Sequence, residues 1–218
     1  NYLLRGFKYL CNIILPKITF MITGLPVYIS IVFALTVLLA LYFIIKAGAR
    51  STTVISILVI LLIYLGVLGY TNFFTVTDTV PPRFPVLILP SLLIIIFLFI
   101  TKKGKQFLDS LDAKWLTWLH VVRVPVEIVL FWLFVHKQIP QLMTFEGRNF
   151  DILSGITTPL IAYFGYTKFK LSKPVLLLWN FICLGLVLNI LIIGLLSAPT
   201  PIQQFAFDQP NAGVLHFP

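Results

Sequence analysis

The sequence predicts an all-α protein, a polytopic bundle of six to seven transmembrane helices. Three observations predict it. The 218-residue chain is 59% hydrophobic and only 11% charged, whereas a soluble domain carries about 25% charged residues. Its mean hydropathy is +1.02. Its apolar residues fall in runs close to the roughly 20 residues an α-helix needs to cross a bilayer, and runs such as LLIIIFLFI lack the alternation of a β-barrel strand. Six such helices and their loops fill the chain, so a single transmembrane domain over residues 1–218 is expected.

The N-terminal stretch, residues 1–22, reads in two ways. Arg5, Lys8 and Asn12 share one helical face, with Leu4, Phe7, Cys11 and Ile14 largely opposite, which suits a helix lying in the interface. A crossing helix over residues 3–22, turning at Thr23-Gly24-Leu25-Pro26, places Arg5 and Lys8 in the cytoplasm but leaves Lys17 in the membrane. No cleavable signal peptide is read there, because Pro16 and Lys17 interrupt the segment and no A-x-A site follows.

Spans then follow near 27–45, 53–73, 86–100, 115–135, 152–166 and 175–196. Pro85 opens the third span, and Lys102, Lys103 and Lys105 stop it. Pro174 opens the sixth, and Pro199 and Pro201 follow it. Proline suits these helix edges. Pro90, Pro125 and Pro159 fall inside spans, where neighbouring groups satisfy the freed carbonyl. Residues 197–218 read as an outer-side tail, a loop leading toward a further span.

Charge sets the orientation. The net charge is +9. In a bilayer this is the signature of basic cytoplasmic loops rather than of nucleic-acid binding, for which there is no basic arm with interleaved aromatics. Nine basic residues, Lys46, Arg50, Lys102, Lys103, Lys105, Lys114, Lys168, Lys170 and Lys173, follow spans one, three and five. The opposite side holds three, Arg83, Lys137 and Arg148, against the acids Asp78, Glu146, Asp151 and Asp208. Loops near 46–52, 101–114 and 167–174 are therefore expected in the cytoplasm.

The informative segment is the fourth span, WLTWLHVVRVPVEIVLFWLFVHK. His120, Arg123 and Glu127 stand at i, i+3 and i+7, on one helical face. Glu127 lies about 18 Å along the axis from Trp115, near mid-bilayer. A charge there costs about 2.5–3.5 kcal/mol, so Arg123 and Glu127 are expected to be paired, for which their i,i+4 spacing serves, or to face a wet cavity. Pro125 between them is expected to kink the helix and open carbonyls toward the same place. Ionisable residues inside a membrane point to ligand, ion or proton handling; a self-neutralised pair that pins helix packing is the competing reading. His120 falls nearer the cytoplasmic headgroups, where a snorkelling histidine is ordinary.

The outer loop QLMTFEGRNFDILSG gathers Glu146, Arg148, Asn149 and Asp151 around Gly147. One reading is a tight turn with Asn149 or Asp151 capping the next helix. The other is a rim over the span-four cavity that recognises a polar ligand or partner. Asn180 and Asn189, nine apart in span six, point to different faces, and Asn180 suits a hydrogen bond across helices. The two cysteines, Cys11 and Cys183, form no CxxC or metal-type cluster, and Cys183 reads as a packed thiol. No metal site and no cofactor is expected. Haem is disfavoured because His120 and His136 lie about 24 Å apart along one helix, which leaves only His136 with His216, and the adjoining loop offers nothing specific to haem.

HVVRVPVEIVLFWLF, TFEGRNFDILSGIT and AFDQPN together resemble an uncharacterised family of polytopic bacterial integral membrane proteins, of the sort common in Bacteroidetes. The resemblance covers about residues 115–217. It implies a helical bundle in a bacterial inner membrane and a final span after the QPN segment, and it brings no activity. Taken together, the residues predict a non-enzymatic membrane protein that contacts lipid and binds a small ligand or partner subunit through the seam and the outer loop. A proton-coupled transporter or proton conductor using Glu127 and Arg123 is the first alternative, although no inverted repeat is visible. A membrane enzyme is the second, although no nucleophile or metal set accompanies Glu127.

Overall fold

A computed structural model describes residues 25–48 and 52–216. The two readings of residues 1–22, with Cys11 and Lys17, and the contribution of Arg50 lie outside the described residues. Among the described residues every regular element is a helix, and no strand is present.

Helix α1, Val27–Lys46, starts where Pro26 leaves the chain extended, and it ends at Gly48, whose φ of +112° a side chain rarely tolerates. Helix α2, Thr52–Tyr70, stops short of the expected 73 because Asn72 turns left-handed at φ +54° and a 3-10 turn, Phe73–Thr75, follows. A second 3-10 turn, Phe84–Leu87, precedes helix α3, Leu89–Ile100. Pro90, expected inside this span, therefore sits in the first turn of α3, where its missing N–H costs no hydrogen bond.

The segment expected to be a loop after α3 holds a helix, α4, Lys102–Asp109. The hydroxyl of Thr101 caps it, accepting from the Gly104 N–H at 3.0 Å. Its apolar side is only Phe107 and Leu108, too few for an apolar run to reveal it. Gly104 is buried and lets α4 close against the end of α3: a Cβ there would lie 2.3 Å from the Leu98 carbonyl oxygen and 2.5 Å from Leu98 Cα. Gly104→Ala is expected to release α4 and raise amide exchange over residues 102–109 at least tenfold, with α3 unchanged; equal exchange in both proteins refutes the docking.

Helix α5, Ala113–Leu119, is capped by Asp112, whose carboxylate accepts from the Lys114 N–H at 2.8 Å. A 3-10 turn, His120–Val122, joins it to helix α6, Arg123–Val135. Pro125 thus falls in the first turn of α6, and the irregularity it was expected to cause takes the form of the 3-10 turn just before it. Helix α7, Ile152–Ala162, contains Pro159 and widens into a π-helical turn, Tyr163–Thr167. Helix α8, Lys173–Leu196, is the longest of the described helices.

Among the described residues, three stretches are long and apolar enough to cross a membrane: Val27–Lys46, Ala113–Val135 and Lys173–Ser197. The apolar helices Val54–Tyr70 and Leu89–Ile100 are shorter. The distribution of side chains is the reverse of a water-soluble fold. Phe97 and Phe181 are 64% and 62% exposed, as are many Leu and Ile of α1, α2, α3 and α8, while Glu127 is 1% and Asn149 0% exposed. Such continuous apolar surface marks contact with something other than water.

Helix ends gather at two poles. At one, the Asp112 N–H reaches the Ala47 carbonyl at 2.8 Å, and the Thr117 hydroxyl meets that of Tyr166 at 3.3 Å. At the other, Tyr28 packs edge-on to Trp132 at 4.9 Å, and Ile29, Val129, Leu133, Ile139, Met143 and Ile193 form a buried core. The tail also belongs to this pole. Asn211 is buried and donates to the Gly194 carbonyl at 2.9 Å, and the Gly213 N–H donates to Gln138 at 2.7 Å. Residues 197–216, read from the sequence as an outer-side tail, are irregular apart from a 3-10 turn at Gly213–Leu215 and close over the ends of α6 and α8.

Candidate functional site

The fourth apolar segment carries its polar residues on one side because of helical spacing, and the loop after α6 comes back over that side. The loop is shaped by Gly147, which donates to the Thr144 carbonyl at 2.9 Å. A Cβ at that position would stand 2.2 Å from the Gln141 carbonyl oxygen, so only glycine lets the loop fold so tightly. Phe145 stacks on Phe131 of α6 at 5.1 Å. These contacts deliver Asn149 and Asp151 to the seam.

Asn149 Nδ2 donates to Glu127 Oε1 at 2.6 Å and to the Met143 carbonyl at 3.1 Å. Its Oδ1 accepts the Asp151 N–H at 3.2 Å. Asp151 occupies the N-cap position of α7, but its carboxylate makes no cap bond to the backbone. It pairs instead with Arg123 Nη1 and accepts from the Ser154 hydroxyl at 3.2 Å. Arg123 Nη1 also donates to the Cys183 carbonyl at 3.0 Å and to Ser154 Oγ at 3.3 Å. One guanidinium thus ties α6 to both α7 and α8.

The expected pairing of Arg123 with Glu127 inside the helix is not formed. An i,i+4 pair on one helix gains only about 0.2–0.5 kcal/mol, whereas Asp151 offers Arg123 a buried charge-assisted bond with two further acceptors beside it. Glu127 is left with Asn149. Its Oε2 is buried and has no hydrogen-bond partner among the described residues.

Of the seven residues marked in the sequence, Arg123, Glu127, Asn149 and Asp151 form one hydrogen-bonded cluster. The other three stand apart. The ring of His120 packs on Trp179 of α8 at 4.9 Å rather than snorkelling, and its Nδ1 is buried without a partner among the described residues. Glu146 and Arg148 are exposed. The Arg148 carbonyl accepts from Asn189 Nδ2 at 2.8 Å, so the loop is moored through its backbone. Asn180, expected to bond across helices, donates to Leu176 of its own helix at 2.8 Å.

Ser154 and the Cys183 carbonyl were missed. Ser154 is legible in retrospect, one helical turn after Asp151. A backbone carbonyl inside an apolar helix gives no signal in sequence. The Cys183 side chain is buried, as read.

Close approach of α6 and α7 makes the cluster possible. A Cβ at Gly155 would lie 2.6 Å from Val124 Cγ2 and 3.0 Å from the Val124 nitrogen. Among the described residues no three His, Cys, Asp or Glu side chains are grouped to hold a metal ion. His136 Nδ1 is engaged with the Trp132 carbonyl at 2.8 Å. Comparison of the chain with protein-family profiles, curated proteins and solved structures gives no match, so the geometry carries the functional reading.

Proposed function

We propose that the chain is a non-enzymatic integral membrane protein of six to seven spans that binds a small ligand or a partner subunit at the Arg123–Asp151 and Glu127–Asn149 cluster. The apolar exterior supports the bilayer setting. The lysines near the pole where α1, α5 and α7 meet support a cytoplasmic placement of that end. The resemblance of residues 115–217 to bacterial membrane proteins supports an inner membrane.

The observation that carries the reading is the unpartnered Oε2 of Glu127. A buried acceptor without a donor costs about 1–3 kcal/mol, and a cluster with every other charged group engaged has one vacant acceptor for a donor to fill. An ammonium, amide or hydroxyl group of a ligand or neighbouring subunit has that chemistry. A proton has it too. Arg123 is committed to Asp151, which leaves Glu127 with no counter-charge in direct contact, and this favours proton handling as the second reading.

Glu127→Gln separates these readings from simple packing. The amide oxygen still accepts from Asn149, so stability is expected to stay within about 1 kcal/mol of the parent. A small molecule or subunit that copurifies with the parent protein and is lost from the variant supports ligand binding. Proton flux into vesicles, read with an internal pH dye and at least tenfold lower in the variant, supports the second reading. No bound species and no flux in either protein reduces the cluster to packing and refutes both.

A further inference from the structure

On another face of α6 lies a cavity of about 410 Å³ that takes no part in the Glu127 cluster, within the size range of small-molecule sites. Its walls are eight-residue stretches of three helices, Ser30 to Val37 on α1, Leu62 to Gly69 on α2 and Val126 to Leu133 on α6. Each stretch spans about 10 Å. The tail closes one end with Gly213, Val214 and His216.

The lining is polar at one end only. Ser30 belongs to the pole of Ile29, Leu133 and the tail, and so does His216. Neither side chain has a hydrogen-bond partner among the described residues. Toward Val37, Leu62 and Val126 the lining is hydrocarbon. Gly66 in the wall faces open space, since a Cβ there would meet nothing within 4 Å. Leu35 and Leu38 on α1 and Ile63 and Val67 on α2 are exposed, and helical spacing turns them away from the cavity, so the helices that wall it also present apolar outer faces.

We propose that this cavity holds one acyl chain of a membrane phospholipid, with the polar part of the lipid beside Ser30 and His216. The one-ended polarity matches a chain with a hydrogen-bonding head. The apolar outer faces of α1 and α2 match walls that stand in a bilayer. Water is a poor occupant, because a buried water needs two to four polar partners and the inner part offers none. The site is separate from Glu127, so its test does not depend on the reading of that cluster.

The experiment uses the full chain, residues 1–24 included, purified from membranes and washed exhaustively in phospholipid-free detergent. Retained lipid is measured by phosphorus and acyl-chain analysis. The parent is expected to keep about one phospholipid per chain. Gly66→Leu, which fills the cavity, is expected to lower retention at least fivefold, and Gly66→Ala to lower it partly. Gly185→Leu adds the same side chain on α8, where Gly185 also faces open space away from the cavity, and is expected to retain lipid as the parent does. Melting curves of the Ala and Leu variants at 66 report their folding. No retained phospholipid in the parent, a free fatty acid in its place, or equal retention in folded Gly66→Leu overturns the proposal.

Discussion

Arg123→Met is expected to destabilise the protein by about 3–5 kcal/mol, the cost of leaving a buried charge unpaired. Methionine keeps much of the arginine stem but removes the donor to Asp151, Ser154 and the Cys183 carbonyl. Asp151, 6% exposed, then has no counter-charge in contact. Denaturant unfolding in detergent measures the loss. The second-site response tests the pairing itself. Replacing a buried ion pair by apolar residues is often close to neutral, so Asp151→Leu added to Arg123→Met is expected to recover most of the stability. Glu127→Leu added to Arg123→Met is expected to recover none. Rescue by Glu127→Leu instead refutes the geometry and restores the pairing within the helix.

Gly155→Ala is expected to cost about 1–3 kcal/mol, the range for overpacking a filled interior. The added methyl group meets Val124 Cγ2 at 2.6 Å and the Val124 backbone nitrogen at 3.0 Å. The side chain can rotate but the backbone cannot, so α7 must move away from α6. Asp151 and Ser154 are on that helix or at its start, and their bonds to Arg123 lengthen with it. The variant is therefore expected to share part of the Arg123→Met loss, so that the two substitutions together cost less than their sum. Val124→Ala removes Cγ2 and is expected to restore only part of the stability, because the backbone contact stays. A loss below 0.5 kcal/mol for Gly155→Ala refutes the close approach.

The cluster was partly legible because helical periodicity places His120, Arg123 and Glu127 on one side without reference to the rest of the chain. The density of polar residues around Gly147 was legible for a similar local reason. Which of them pair was not. Asp151 reaches Arg123 only because Gly147 folds the loop sharply and Gly155 brings α7 close, and both depend on what stands opposite each glycine. His120 was placed near the headgroups on axial position alone; Trp179, 59 residues later, covers its ring. Helix α4 gives no helical signal in the sequence, because three lysines in four residues mask a short helix whose burial rests on a glycine against the Leu98 backbone.

The helical class, the apolar stretches and the uneven placement of charge follow from the chain alone, since each is a property of composition and of spacing along one helix. Partner choice belongs to the tertiary structure. Arg123 takes Asp151 over Glu127, the tail closes over α6 and α8, and a cavity opens beside Gly66, because each outcome is set by distances between segments far apart in sequence. A charge in an apolar stretch must find a partner to offset its desolvation, and only the packing of α6, α7 and α8 determines which partner lies within reach.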